Sequence, residues 1–255
     1  MNTVLLFDTE TTGKDEARQP VEIAYLGFRR VVDLAGAADS IPEPLSIDAS
    51  FSCRYKPTVP VTLGSLAVHH ILPEELEACE GPDTFKLPEG VEYLIGHSID
   101  FDWETIGKPK VKRICTLAMA RRIWPEADSH SQSALIYLLN GATMNTRRQL
   151  QHAHSALVDV ENCMALLEHI LQAKPEIRTW SALWRFSEEA RIPTHMPMGR
   201  NKGAPITQLE SGEMEWYLDR GIGDPYLHKA FHQELRRRRG MEPAAAGDED
   251  DYIYL

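Results

Sequence analysis

The stretch Val4-Leu5-Leu6-Phe7-Asp8-Thr9-Glu10-Thr11-Thr12-Gly13 decides the reading of this chain. Its four opening apolar residues are too few for a helix and read as a strand buried on both faces, which Gly13 ends in a turn. Side chains alternate along a strand, so Asp8 and Glu10 share a face, roughly 7 Å apart. Two carboxylates held at a buried strand end repel each other, and a divalent cation is the simplest compensation.

Working outward, Val21 to Val31 reads as a second strand and Ile47 to Tyr55 as a third, joined by an Ala-, Gly-, Pro- and Asp-rich connection. Three consecutive strands imply an antiparallel meander. A short helix covers Leu63 to His70, and Leu72-Pro73 restarts one with proline near its first turn. His69 and His70 read as surface or packing residues rather than ligands. Val91 to His97 returns to strand character and ends at Ser98-Ile99-Asp100-Phe101-Asp102-Trp103, a second strand end carrying acids. Ile114-Cys115-Thr116 reads as a strand end with Thr116 as the N-cap of a helix that Pro125 closes, and a further short helix covers Ser131 to Leu139.

The strongest helical pattern is Leu157 to Leu171, where Val160, Cys163, Met164, Leu167, Ile170 and Leu171 form a buried stripe. Asp159 falls at the edge of that stripe in the first turn and His154 in the lead-in, so both can face one cleft. Beyond it, Thr179 to Ala190 is an amphipathic helix, Met196 to Gly203 a basic turn flanked by glycine, and Thr207 to Asp219 and Pro225 to Arg239 two more helices.

The net charge of −11 taken alone argues against a nucleic-acid partner, but residues 240–255 hold Glu242, Asp248, Glu249, Asp250 and Asp251 with no Lys or Arg. Basic clusters stand elsewhere, including Arg200 with Lys202 and the run Arg236 to Arg239. The four cysteines, Cys53, Cys79, Cys115 and Cys163, form no Cys-x-x-Cys pair and read as reduced structural thiols rather than a zinc or redox site. No apolar run approaches the ~20 residues of a membrane span, and the N-terminus lacks the zones of a secretory signal, so the expectation is a cytoplasmic protein with no membrane partner.

Asp8, Glu10, Asp102 and Asp159, with His154, thus gather at strand ends and a helix start, where an α/β fold builds an active site. At this point the sequence resembles the DEDDh 3′–5′ exonucleases of the ribonuclease H-like fold. The first motif of that family is matched by Phe7-Asp8-Thr9-Glu10-Thr11-Thr12-Gly13, the second by His97-Ser98-Ile99-Asp100-Phe101-Asp102 and the third by His154-Ser155-Ala156-Leu157-Val158-Asp159. Ser98 stands where the family usually has Asn, and Lys14-Asp15 follow Gly13 where several relatives have an apolar residue able to wedge between bases.

The resemblance implies a mixed α/β sheet with the antiparallel meander at one side and flanking helices, over residues 1–172. It is followed by a connecting helix at 173–190, a small, mainly helical accessory unit at 191–239 and an acidic disordered tail at 240–255. It implies two magnesium ions, with manganese as a substitute, held by Asp8, Glu10, Asp102 and Asp159, and His154 as the base that takes the proton of the attacking water. Thr11, Thr12, His97 and Phe101 become candidate contacts to the terminal nucleotide. Asp102 rather than Asp100 is the ligand of the second motif, with Asp100 a solvated neighbour. The implied reaction is release of nucleoside 5′-monophosphates from DNA 3′ ends. The alternative is the same chemistry on RNA, since the motifs do not separate the two. The tail, acidic and ending in Tyr252-Ile253-Tyr254-Leu255, is a candidate docking peptide for a protein partner.

Overall fold

The computed structural model describes residues 4–28 and 39–241. They divide into two compact units, one ending at Ser187 and the other beginning at Glu188.

The first unit is built on a five-stranded mixed sheet of order β3-β2-β1-β4-β5. Its strands are β1 (Val4–Thr11), β2 (Pro20–Phe28), β3 (Ile47–Arg54), β4 (Tyr93–Gly96) and β5 (Lys112–Cys115). β1, β2 and β3 pair antiparallel, while β4 runs parallel to both β1 and β5. The expected meander is therefore present. Beyond Phe28, the expected end of the second strand and most of the connection that follows it lie outside the described residues.

β1 is central, and Val4, Leu5, Leu6 and Phe7 are all fully buried, as an apolar run without alternation requires. β3 alternates half-buried and exposed positions, the pattern of an edge strand with one solvated face. The helices of this unit are α1 (Leu63–His69), α2 (Asp100–Thr105), α3 (Thr116–Ile123), α4 (Gln132–Asn140), α5 (Met144–Gln149) and α6 (Ala156–Ala173). α6 lies on β1 and β2 with α3 and α4 beside it, burying Val160, Cys163, Leu166, Leu167 and Ile170. α7 (Trp180–Arg191) contains the division between the units.

Several local readings change. The segment after β4 is not a strand end but the short helix α2, which carries Asp102. Thr116 is the first residue of α3 rather than its cap, and its hydroxyl donates to the Gly96 carbonyl at 3.2 Å, spending it on β4. α5 has no counterpart in the sequence reading because Met144-Asn145-Thr146-Arg147-Arg148-Gln149 shows no apolar stripe; the Thr143 hydroxyl starts it by accepting the Thr146 amide at 3.2 Å.

In the second unit, α8 (Ser211–Asp219) and α9 (Pro225–Arg238) enclose a core of Met196, Ile206, Leu209, Met214, Tyr217, Leu227 and Phe231. Asp224 caps α9 through the Leu227 amide at 2.8 Å, with Pro225 at the first helical position. The helix expected from Thr207 begins only at Ser211, after a separate turn of 3-10 helix at Ile206–Gln208 and an extended Glu210. That break lets Ile206 and Leu209 both enter the core. Residues 242–255, which hold the acids and apolar tip of the expected tail, lie outside the described residues.

Candidate active site

Three elements meet at the C-terminal end of β1. β1 supplies Asp8, partly buried, and Glu10, 8% exposed. α2 follows β4, the parallel neighbour of β1, and supplies Asp102, which is 4% exposed. The two strands close tightly there: a Cβ at Gly96 would stand 2.8 Å from the Phe7 carbonyl oxygen, so only glycine fits. Asp102 is tied back to β1, its Oδ1 accepting the Thr9 backbone amide at 3.0 Å and the Thr9 hydroxyl at 2.7 Å.

The start of α6 completes the group. Asp159 lies in its first turn, and its Oδ2 accepts the His154 backbone amide at 2.9 Å. His154 sits in the lead-in with φ +71°, a left-handed conformation that costs a non-glycine residue about 1–3 kcal/mol. Gln132 of α4 donates its side-chain amide to the Asp159 carbonyl at 2.6 Å, fixing the turn from a second side.

Glu10, His154 and Asp159 each present a ligand atom, all within 4.8 Å of one another. Asp8 and Asp102 stand outside that group and are coupled to it through charge. Burial, then Asp102, Asp159, Glu10 and Glu22, hold the Asp8 carboxyl well above the usual carboxylate range. Burial, followed by Asp159, Glu22 and Asp102, pushes Glu10 up to about 9. Burial pushes Asp102 up to about 7 against the opposing hydrogen bonds from Thr9. Burial also raises Asp159, opposed by the His154 amide. Such a set holds excess negative charge that a bound cation relieves. The donors, carboxylate oxygens beside one imidazole, are of the kinds that hold a divalent cation.

The candidate nucleotide contacts are placed as follows. The Thr11 hydroxyl donates to the Gly13 carbonyl at 2.8 Å, while Thr12 exchanges bonds with Gln19 through its backbone amide and its hydroxyl. Both therefore shape the turn after β1. His97 has both ring nitrogens engaged, Nδ1 with the Thr116 hydroxyl at 3.1 Å and Nε2 with the His130 carbonyl at 2.9 Å, leaving the ring face. Phe101 carries the Arg18 guanidinium 4.1 Å from its ring centroid. Arg18 is fixed by Glu104, Thr105 and the Phe101 carbonyl. Asp100, read as solvated, pairs with Arg113 at 2.6 Å. His69 is buried as a packing residue, its Nδ1 accepting the Ile71 amide at 3.0 Å.

Sequence reasoning missed Thr9, Glu22, Gln132 and Arg18. Glu22 left a legible trace, an acid between Val21 and Ile23 in a strand otherwise buried. Gln132 and Arg18 left none, because their roles depend on tertiary contacts.

No protein-family model matches the chain. The fold, a five-stranded mixed sheet flanked by helices, is ribonuclease H-like, and the chain resembles the DEDDh 3′-exonucleases. It is 25% identical to Exodeoxyribonuclease 10 of Escherichia coli (strain K12) over 207 residues, 74% of this chain and 90% of the relative. The match to the protein of the same name from Escherichia coli O6:H1 has the same identity and coverage. Among solved structures it is similar to exonuclease X in complex with 5′ overhanging duplex DNA, with 24% identity and a TM-score of 0.53, covering 72% of this chain and 99% of that one. Among the described residues no helix is long and apolar enough to cross a membrane, and all four cysteines are free thiols.

Proposed function

We propose that the chain is a metal-dependent 3′–5′ exonuclease that hydrolyses DNA from its 3′ end to nucleoside 5′-monophosphates, acting in the cytoplasm in DNA repair. The observation that carries this reading is the meeting of Glu10, His154 and Asp159 within 4.8 Å, beside the partly buried carboxyl of Asp8 and the buried one of Asp102. The similarity to Exodeoxyribonuclease 10 supports DNA as the polymer.

Asp8, Glu10, Asp102 and Asp159 would hold two magnesium ions. When bound, divalent cations supply a lowered pKa for the attacking water and neutralise charge on the phosphate and the departing 3′-oxygen. His154, on the exposed side of the group, takes the proton of that water and passes it to solvent. Thr9 holds Asp102 in place, and the Asp159–His154 hydrogen bond sets the base beside its neighbours. Phe101, backed by Arg18, offers a ring face for the terminal base.

The deciding assay compares matched single-stranded DNA and RNA oligonucleotides, labelled at the 5′ end, with magnesium and with chelator. A ladder shortening from the 3′ end, faster on DNA and abolished by chelator, is the expected result. Faster loss of RNA would reassign the polymer, and cleavage that resists chelator would overturn the metal-dependent reading.

A further inference from the structure

Glu22 is a buried carboxylate that the reaction as described does not use. It lies in β2 directly opposite Glu10 and is 6% exposed. Its charge helps to raise Asp8, Glu10 and Asp159, so in the absence of metal it adds repulsion to a site that already has too much.

Its contacts show what offsets that cost. Oε2 accepts the Ala156 backbone amide at 2.9 Å and lies 3.5 Å from the Ser155 hydroxyl. Ala156 is the first residue of α6, whose amide has no partner within the helix, and the N-cap Ser155 makes no side-chain capping bond. A carboxylate from the neighbouring strand does the capping, with its charge at the positive end of the helix dipole. The residue before the cap is His154, in its left-handed conformation, and Asp159 lies in the turn that follows. The other oxygen, Oε1, meets Arg54 Nε at 3.4 Å. Arg54 also donates to Glu75 at 2.8 Å, and Glu75 accepts the Leu72 amide at 2.7 Å.

We infer that Glu22 is a positioning residue, braced by Arg54, that anchors the start of α6 to β2 and so holds His154 and Asp159 against Glu10. The inference rests on reading those three residues as a nuclease site. With both oxygens turned to the helix start and to Arg54, Glu22 acts through the residues it places.

The test uses the full chain with Glu22→Ala and Glu22→Gln. Glutamine keeps a carbonyl oxygen for the Ala156 amide and removes the charge, so the pair separates anchor from charge. Hydrogen exchange at the amides of residues 156–160 is expected to rise about tenfold in Glu22→Ala and clearly less in Glu22→Gln, which keeps the anchor and loses the Arg54 brace. On a DNA oligonucleotide with magnesium, kcat of Glu22→Ala should fall about 10²-fold, the scale of a small misplacement of reacting groups, with KM nearly unchanged. Glu22→Gln should recover most of that loss. Equal losses in both variants would mean that Glu22 works through its charge, and unchanged exchange in Glu22→Ala would mean that it anchors nothing; either result overturns the inference. Should Glu22→Ala not fold, Arg54→Met removes the brace and must raise exchange at the same amides, or the inference fails. If wild type cleaves no oligonucleotide, the proposed function falls while the exchange measurement still decides the anchoring.

Discussion

Thr9 gives both its backbone amide and its hydroxyl to a single oxygen of Asp102, at 3.0 and 2.7 Å. The residue between the two acids of β1 thereby fastens the third acid, from α2, to the same strand. Thr9→Val keeps the shape and the backbone bond but loses the hydroxyl, at a cost of about 1.5 kcal/mol for a hydrogen bond to a carboxylate. It also removes one of the bonds that hold the Asp102 carboxyl down against burial, so that carboxyl should rise above about 7. The expected outcome is a lower urea midpoint and an acid limb of kcat/KM displaced to higher pH. A variant with an unshifted limb would show that the titration of Asp102 does not govern activity.

The metal-free protein should lose stability as pH rises. Glu10 has an ordinary value of 4.5 and is pushed up to about 9 in the fold, while Asp102 moves from 3.8 to about 7. Between those limits the folded chain keeps protons that the unfolded chain has released, so its advantage declines as pH climbs. With chelator, Tm is expected to be higher near pH 5.5 than near pH 8.5, and magnesium should raise Tm most at the alkaline end. A chelated protein that grows more stable across this window would contradict the crowding of charge.

The same repulsion makes a sharper prediction for single substitutions. Asp8→Asn and Glu10→Gln each remove a carboxylate that burial, and then its charged neighbours, destabilise. Both should raise Tm in chelator while abolishing most cleavage, the pattern of a site whose charge serves a cation rather than the fold. Lower stability with retained cleavage would remove these residues from the site.

His154 has its ring within the same 4.8 Å group as Glu10 and Asp159, a distance compatible with a base or with a ligand. As the base, His154→Ala should lower kcat by roughly 10²–10⁴ and leave manganese affinity, read by calorimetry, little changed. A collapse of manganese affinity would make it a ligand.

How much of this was legible beforehand follows from the range of the interactions involved. The buried strand Val4–Thr11 was readable from an unbroken apolar run too short for a helix, and the stripe of α6 because helical periodicity reports burial directly. Asp8, Glu10, Asp102 and Asp159 stood out as candidates because acids at the ends of apolar elements conflict with their surroundings, and His154 because it leads into the helix that carries Asp159. The supports were not. Gln132 reaches Asp159 across 27 residues of sequence, and Glu22 reaches Ala156 across 134. Nothing local to either marks its partner. α5 and the break before α8 escaped for the opposite reason, since a few capping and turn bonds decided them without an apolar pattern.

The basic residues of the second unit separate into two kinds with different expected effects. Arg237 grips both oxygens of Glu234 at 2.7 Å, and Arg238 bonds Glu234, the Ser211 hydroxyl and the Thr207 carbonyl. Arg239 pairs with Glu215 at 2.9 Å. Arg237, then Arg238, hold the Glu234 carboxyl down at about 2. Arg200 and Lys202 differ: both are exposed, and neither makes an ion pair among the described residues. Their turn is pinned from below by Asn201, whose amide donates to both Glu213 oxygens at 2.7 and 2.8 Å, and is closed by the Gly203 amide on the Met196 carbonyl at 2.8 Å. A fixed turn presenting two cations suits phosphate, whereas arginines already spent on carboxylates suit the fold. Arg238→Ala should therefore cost about 1–2 kcal/mol of stability and leave the salt dependence of DNA binding unchanged. The double variant Arg200→Ala, Lys202→Ala should keep its Tm, bind single-stranded DNA more weakly, and lower the slope of log K against log salt by about 1.4, roughly 0.7 for each phosphate no longer neutralised. An unchanged slope in the double variant would leave the second unit without a role in holding nucleic acid through this turn.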